Sequence, residues 1–218
     1  MGLANASLIS CFYKNKRKCL AMNPERFRKQ LDFILEIDKE KEIYRQTHLK
    51  GYIRQENDAE HAWHMAIMIY LLKEYANENF DIVKAMMMAL IHDIVEIDAG
   101  DTYAYDGDNL ATQSEREEKA ANRIFGILPD DQKQEMMALF DEFEAGKTPE
   151  AKFAKVMDNF QPLLLNDSNN GADWKTHKIK KSQVINRQKK SQPGSEDIWE
   201  YTKMLIDNNV QKGNLIDE

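Results

Sequence analysis

Residues 85–91 read Ala-Met-Met-Met-Ala-Leu-Ile, and this unbroken apolar run stops at His92-Asp93. A segment with no polar face must be buried on most sides, so other elements have to surround it. The starts of those elements are legible as helix signals. Asn23-Pro24 and Thr148-Pro149 each place a capping side chain before a proline at the first helical position. Asn57 and Glu60 have capping-box spacing. Apolar residues then recur at helical intervals, for example Phe27, Leu31, Ile34 and Leu35. These signals predict helices over 24–46, 58–75, 81–97, 114–125, 129–146, 149–165, 178–187 and 196–211. Residues 48–56, 101–113 and 166–173 read as loops. Nine glycines and five prolines are few for 218 residues, and eleven methionines suit helices. No stretch shows convincing strand alternation. The expectation is a single all-α domain over 23–218, with 166–218 as a helical C-terminal extension and 1–22 as a disordered N-terminal extension.

Composition removes several alternatives. A net charge of −7 argues against a general nucleic-acid-coating role. Cys11 and Cys19 are the only cysteines, so neither a disulfide scaffold nor a four-cysteine zinc site follows. No run reaches the ~18–20 apolar residues of a membrane span. The basic run of residues 14–18 follows the apolar stretch near the start, which is the wrong order for a signal peptide. The expected location is the cytoplasm.

The chemistry gathers where the apolar run ends. An imidazole and a carboxylate at that point need partners. A metal ion is one solution, and a solvated, capped helix end is the other. Glu96 lies four residues after His92, on the same helical face. Glu96, Asp98, Asp101, Asp106 and Asp108 repel one another unless a cation is present or water solvates them. His61 falls in the first turn of a helix, where a neutral imidazole is favoured over a charged one. Asp158 lies among Phe153, Val156, Met157 and Phe160, and Pro162 four residues on leaves its carbonyl without a helical donor.

His61, His92-Asp93 and Asp158, in that order, resemble the H…HD…D pattern of HD-domain phosphohydrolases. Residues 54–61, 92–96 and Gly100-Asp101, with 115–120 and 150–153, are similar to the bacterial 5′-deoxynucleotidase branch and its eukaryotic relatives. The resemblance runs from about Pro24 to Leu165. It implies that His61, His92, Asp93 and Asp158 bind one divalent transition metal: Mn, Fe, Co, Ni or Zn. It implies that Glu96 orients or deprotonates a water, and that Asp101 serves the leaving oxygen. Arg54 is the first candidate for gripping phosphate and Arg45 the second. The substrate implied is a nucleoside 5′-monophosphate and the assembly a homodimer. Competing readings are another HD phosphodiesterase or alarmone hydrolase, and a non-catalytic nucleotide-binding module. Gln46-Thr47-His48-Leu49 stands where that branch carries an Arg-Trp pair associated with the sugar. Tyr103 and Tyr105 could shape the pocket instead. His64 is expected behind the metal ligands or at the surface, and Trp63 and residues 86–88 in the core. Residues 175–190 hold seven Lys and Arg side chains and no acidic one, with His177 in addition. This segment reads as a solvated face or as a basic lid that attracts phosphate.

Overall fold

The computed structural model describes residues 23–101 and 107–218. The expectations for the N-terminal extension and for Tyr103 and Tyr105 lie outside the described residues. Helix α1 (Pro24–Glu36) starts as predicted, the Asn23 side chain accepting from the backbone N–H groups of Glu25 and Arg26. It stops ten residues short of its expected end. A 3-10 turn (Ile37–Glu42) follows, and then a two-stranded antiparallel hairpin of β1 (Tyr44–His48) and β2 (Gln55–Asn57). The predicted helical end and the absence of strands are therefore corrected. The sequence Ile-Tyr-Arg-Gln-Thr-His carries β-branched and aromatic residues that suit a pleat. Gly51, at φ +88°, and Tyr52, at φ +59°, turn the chain back. The hairpin is pinned from outside, because the Asn169 side chain donates to the carbonyls of His48 and Leu49 and accepts from the N–H of Gly51.

The capping box of Asn57 and Glu60 opens α2 (Asp58–Leu72) as predicted, with a 3-10 turn (Lys73–Tyr75) at its end. Asp81 caps α3 (Ile82–Ile91). The expected continuation to residue 97 is broken. The chain tightens into a 3-10 turn (His92–Val95) and then a single turn, α4 (Glu96–Ala99). The break has a local cause: His92 Nδ1 lies 2.9 Å from the Ala89 carbonyl and competes for that helical acceptor. Gly100, at φ +75°, then ends the element.

Helix α5 (Gly107–Phe125) begins seven residues before the predicted start. Helix α6 (Asp130–Ala145) follows Pro129 close to its predicted start, and α7 (Pro149–Ser168) is capped by the Thr148 side chain, although α7 runs on through part of the expected polar loop. The remaining elements are α8 (Ala172–Thr176), α9 (Lys181–Gln188), a 3-10 turn (Lys189–Ser191) and α10 (Glu196–Gln211). Among the described residues the fold is helical with one small hairpin.

Two apolar clusters organise these helices. One joins α2, α3 and α7 through Met65, Ile69, Met88, Phe153 and Met157, and extends to Val184, Ile198 and Ile206. The other joins α1, α5 and α6 to the 3-10 turn through Phe33, Ile94, Val95, Ile124, Phe125 and Phe140. Met88 belongs to the first and Ile91 to the second, so the buried run bridges them. His92-Asp93 comes where the chain passes from one cluster to the other.

Candidate active site

His61 lies one turn into α2 and is fully buried; His92 opens the 3-10 turn; Asp158 faces them from the middle of α7. Ligand-capable atoms of these three residues lie within 4.8 Å of one another. His61 Nε2 is 3.3 Å from Asp158 Oδ1, and His92 Nε2 is 3.9 Å from the same oxygen.

The protons on both rings are placed by their other nitrogens. His92 Nδ1 meets the Ala89 carbonyl, which can only accept, so Nδ1 carries hydrogen. His61 Nδ1 is 3.0 Å from Gln161 Oε1, while Gln161 Nε2 donates to Glu56 Oε2 at 2.8 Å. That carboxylate fixes the amide orientation, so its oxygen must accept from His61. Both Nε2 atoms therefore carry lone pairs directed at one point. His92 Nε2 is buried without a hydrogen-bond partner. An orphaned acceptor beside a second imidazole and a carboxylate is a donor set that a divalent cation completes.

Asp93 stands beside this group, with Oδ1 3.2 Å from His92 Nε2. Its other oxygen accepts from Arg45 Nη1 at 2.6 Å, and Arg45 also donates to Asp58 at 3.0 Å. Arg45 arrives from β1, which the early end of α1 makes possible. Arg54 is placed elsewhere. Its guanidinium is exposed and spent on Glu60, and it does not line the cavity. His64 lies behind His61, with Nδ1 3.1 Å from Gln161 Nε2.

A cavity of about 230 Å³ opens over this cluster. His92, Asp93, Asp158, Glu96, Asp101 and Arg45 line it, and so do Glu117, Lys155, Arg187 and Lys190. Glu96 Oε2 is buried and without a partner. Burial, reinforced by Asp93, Glu117, Asp101 and Asp58, pushes the Glu96 carboxyl up to about 10. Burial lifts Asp101 as well, against the pull of Arg45. The surrounding shell behaves alike. Burial raises Glu40 to about 8, Asp58 to about 8 and Glu56 to about 7. Asp158 is the exception: burial raises it, but the facing imidazoles of His61 and His92 and the charge of Arg187 outweigh that and hold it below its usual value. Burial and then Arg45 lower His61 to about 4, so its ring is neutral at ordinary pH. Arg45 keeps its charge, because Asp93, Asp58, Asp101 and Asp158 together overcome the cost of its burial. Acidic side chains outnumber the basic ones around this cavity, and Arg45 is the guanidinium hydrogen-bonded within the acidic group, a balance that suits a cation site.

Residues 37–199 match the pattern of the HD domain family. The chain belongs to the HD domain family. Its curated HD relatives include the 5′-deoxynucleotidase HDDC2 of Homo sapiens, 31% identical over 51% of this chain and 53% of that protein. The Xenopus laevis protein of the same name is 36% identical over 56% of this chain and 57% of its own length. The chain thus spans about half the length of these relatives in the matched region. Among solved structures, a predicted metal-dependent phosphohydrolase from Magnetospirillum magnetotacticum is 46% identical, with a TM-score of 0.84 over 88% of this chain and 96% of that one. A conserved hypothetical protein from Pyrococcus furiosus, 24% identical with a TM-score of 0.54, shares the fold.

Gln161, Glu56 and Asp58 do not stand out in the sequence. For Gln161 a signal exists: it lies three residues after Asp158, on the same helical face. Replacing Gln161 by Leu removes the acceptor that orients His61, and divalent-metal affinity should fall about 10–100-fold, as read by chelator competition.

The raised carboxyls also set a pH dependence. Glu40, Glu56 and Asp58 bind protons in the folded state at pH values where the unfolded chain has lost them. Their contribution is complete below about pH 4 and is lost as pH rises through about 7–8. His61 acts with opposite sign between about pH 4 and 6.5, but it is one group against three. Metal-free protein should therefore melt at a lower temperature at pH 8 than at pH 6. Glu40→Gln should flatten that slope in thermal denaturation; an unchanged slope would remove Glu40 as a source.

Proposed function

We propose that the chain hydrolyses a phosphate ester, a (deoxy)nucleoside 5′-monophosphate, with one divalent transition cation held by His61, His92 and Asp158, and with Asp93 as fourth ligand. The observation that carries this reading is the convergence of two imidazole lone pairs on one carboxylate oxygen, each ring fixed by an acceptor at Nδ1. Two nitrogen and two oxygen donors suit Mn, Fe, Co, Ni or Zn. Such a cation, when bound, lowers the pKa of a water and offsets charge on the phosphate. The names of the curated relatives support the nucleotide class. Both sugars are included, because Gln46-Thr47-His48-Leu49 ends β1 without a tryptophan.

The chain's own groups divide the remaining work. Glu96, on the cavity wall with a free oxygen, would take the proton of the attacking water as the new oxygen–phosphorus bond forms, a bound cation offsetting the neighbouring carboxylates that otherwise keep it protonated. Asp101, whose raised pKa lets it carry a proton, delivers that proton to the departing 5′ oxygen. The products are a nucleoside and inorganic phosphate. Arg45 holds Asp93 in place and balances its charge. Phe140 and Phe143, one from each apolar cluster, form part of the cavity wall alongside these acids.

The decisive experiment is phosphate release from nucleoside monophosphates with Mn, Co, Ni, Zn and Mg in turn. Glu96→Ala should lower kcat by about 10²–10⁴-fold with metal content unchanged. Wild-type turnover in that variant would remove Glu96 from the mechanism.

We further propose that the chain pairs with a second copy through the outer face of α2. Trp63, expected in the core, lies there instead with Ile67, Tyr70 and Leu71 at helical spacing, and all four are exposed, Trp63 and Leu71 by more than three-fifths (63% and 62%). A contiguous apolar stripe of that kind suits an isologous dimer. Light scattering should give about twice the chain mass, and Leu71→Glu should return the monomer; a wild-type monomer at micromolar concentration would refute the pairing.

A further inference from the structure

The C-terminal segment sends a cation into the cavity. Arg187, at the last turn of α9, lines it together with Asp158, Asn159 and Lys190. Its position is built. Val184 of the same helix is fully buried in the first apolar cluster. Gln188 is buried too, and its Nε2 donates to the Asn159 carbonyl at 2.7 Å. Asn159 follows Asp158, and Arg187 precedes Gln188. This one hydrogen bond therefore holds the guanidinium beside the helix that carries the carboxylate of the cluster. The charge of Arg187 acts on both Asp158 and Asp101.

The other cations near the site are already engaged. Arg45 serves Asp93 and Asp58, and Arg54 serves Glu60. Lys155 lies 3.4 Å from Glu144 and over the ring of Phe143. Among the described residues, none forms a hydrogen bond or an ion pair with the Arg187 side chain. A guanidinium held on a cavity wall with its donors uncommitted matches the paired oxygens of a phosphate.

We propose that Arg187, seconded by Lys190, is the group that grips the non-bridging oxygens of the substrate's phosphate. This rests on the phosphate-ester reading above and adds to it a substrate-binding residue from outside the stretch that carries the H…HD…D pattern. It also accounts for the basic segment, which brings phosphate to a site whose other walls are largely acidic.

The test uses the full chain loaded with the metal that supports most activity. Binding of inorganic phosphate is measured by calorimetry at low salt, beside the kinetics of nucleoside monophosphate hydrolysis. Arg187→Gln should weaken phosphate about 10–50-fold and raise KM by a similar factor, with metal content unchanged. Arg187→Lys should recover part of the affinity, because it keeps the charge and loses the fork. Lys189→Ala, on the exposed side of the same segment, should match wild type. Phosphate affinity within twofold of wild type in Arg187→Gln overturns the proposal. If that variant does not fold, wild-type affinity in Arg187→Lys overturns it instead. Phosphate binding needs no turnover, so the two readings fail separately. Lost binding in a protein that hydrolyses no nucleotide sinks the nucleotidase reading and upholds Arg187. Normal turnover with unchanged phosphate affinity does the reverse.

Discussion

Negative charge is buried in this protein faster than it is neutralised, and much of the architecture answers to that. Asp58, Asp93, Asp101 and Asp158 all act on a single guanidinium, Arg45, which is itself almost wholly buried. Glu40, Glu56 and Glu96 surround the same point, and each has a buried oxygen without a partner. Taking so many carboxyls out of water is unfavourable unless they are protonated or share a cation. The raised pKa values of Asp58, Asp101, Glu40, Glu56 and Glu96 describe the first outcome. The converging lone pairs of His61 and His92 provide for the second. The site is thus kept poised: costly when empty, and relieved by the ion that its donors are shaped to bind.

That poise depends on where the backbone is allowed to be irregular. A continuous α-helix over 81–97 would have spent the Ala89 carbonyl on the chain itself. The 3-10 turn at His92–Val95 lets His92 Nδ1 approach it instead, which orients the ring. A first helix continuing to residue 46 would likewise have put Arg45 on a helical surface. The hairpin aims it inward between Asp93 and Asp58. In both places regular structure yields to the needs of one side chain.

These are also the places where reading the sequence falls short. The helix starts were legible, because caps such as Asn23, Asn57, Asp81 and Thr148 act within three residues of themselves. The H…HD…D residues were legible as a pattern, and the structure brings His61, His92 and Asp158 within reach of one ion. Where elements end, and what lies behind a ligand, depends on contacts distant in sequence. Asn169 secures the hairpin across about 120 residues, and Gln161 orients His61 across 100. Arg54 looked apt for phosphate by its place in the motif. Nothing local revealed that Glu60, six residues on, would take its fork.

Helix α7 is where these long-range demands meet. It carries Asp158 for the ion, Gln161 for the orientation of His61, and Asn159 for the docking of α9. The spacing of three between Asp158 and Gln161 puts one on each nitrogen of the same imidazole: Oδ1 faces Nε2, and Oε1 faces Nδ1. Pro162 cannot donate to the Asp158 carbonyl, so the helix is loosened just where it serves the site. The adjoining carbonyl, that of Asn159, accepts from Gln188 and ties the basic segment to the same turn. A C-terminal region that the motif alone would treat as an appendage is therefore joined to the cluster through one helix. Its side chains Val184, Ile198 and Ile206 pack into the same apolar cluster as Met88 and Met157. Loss of packing there would be felt at Asp158, because the helix that holds the carboxylate is the one on which that region rests.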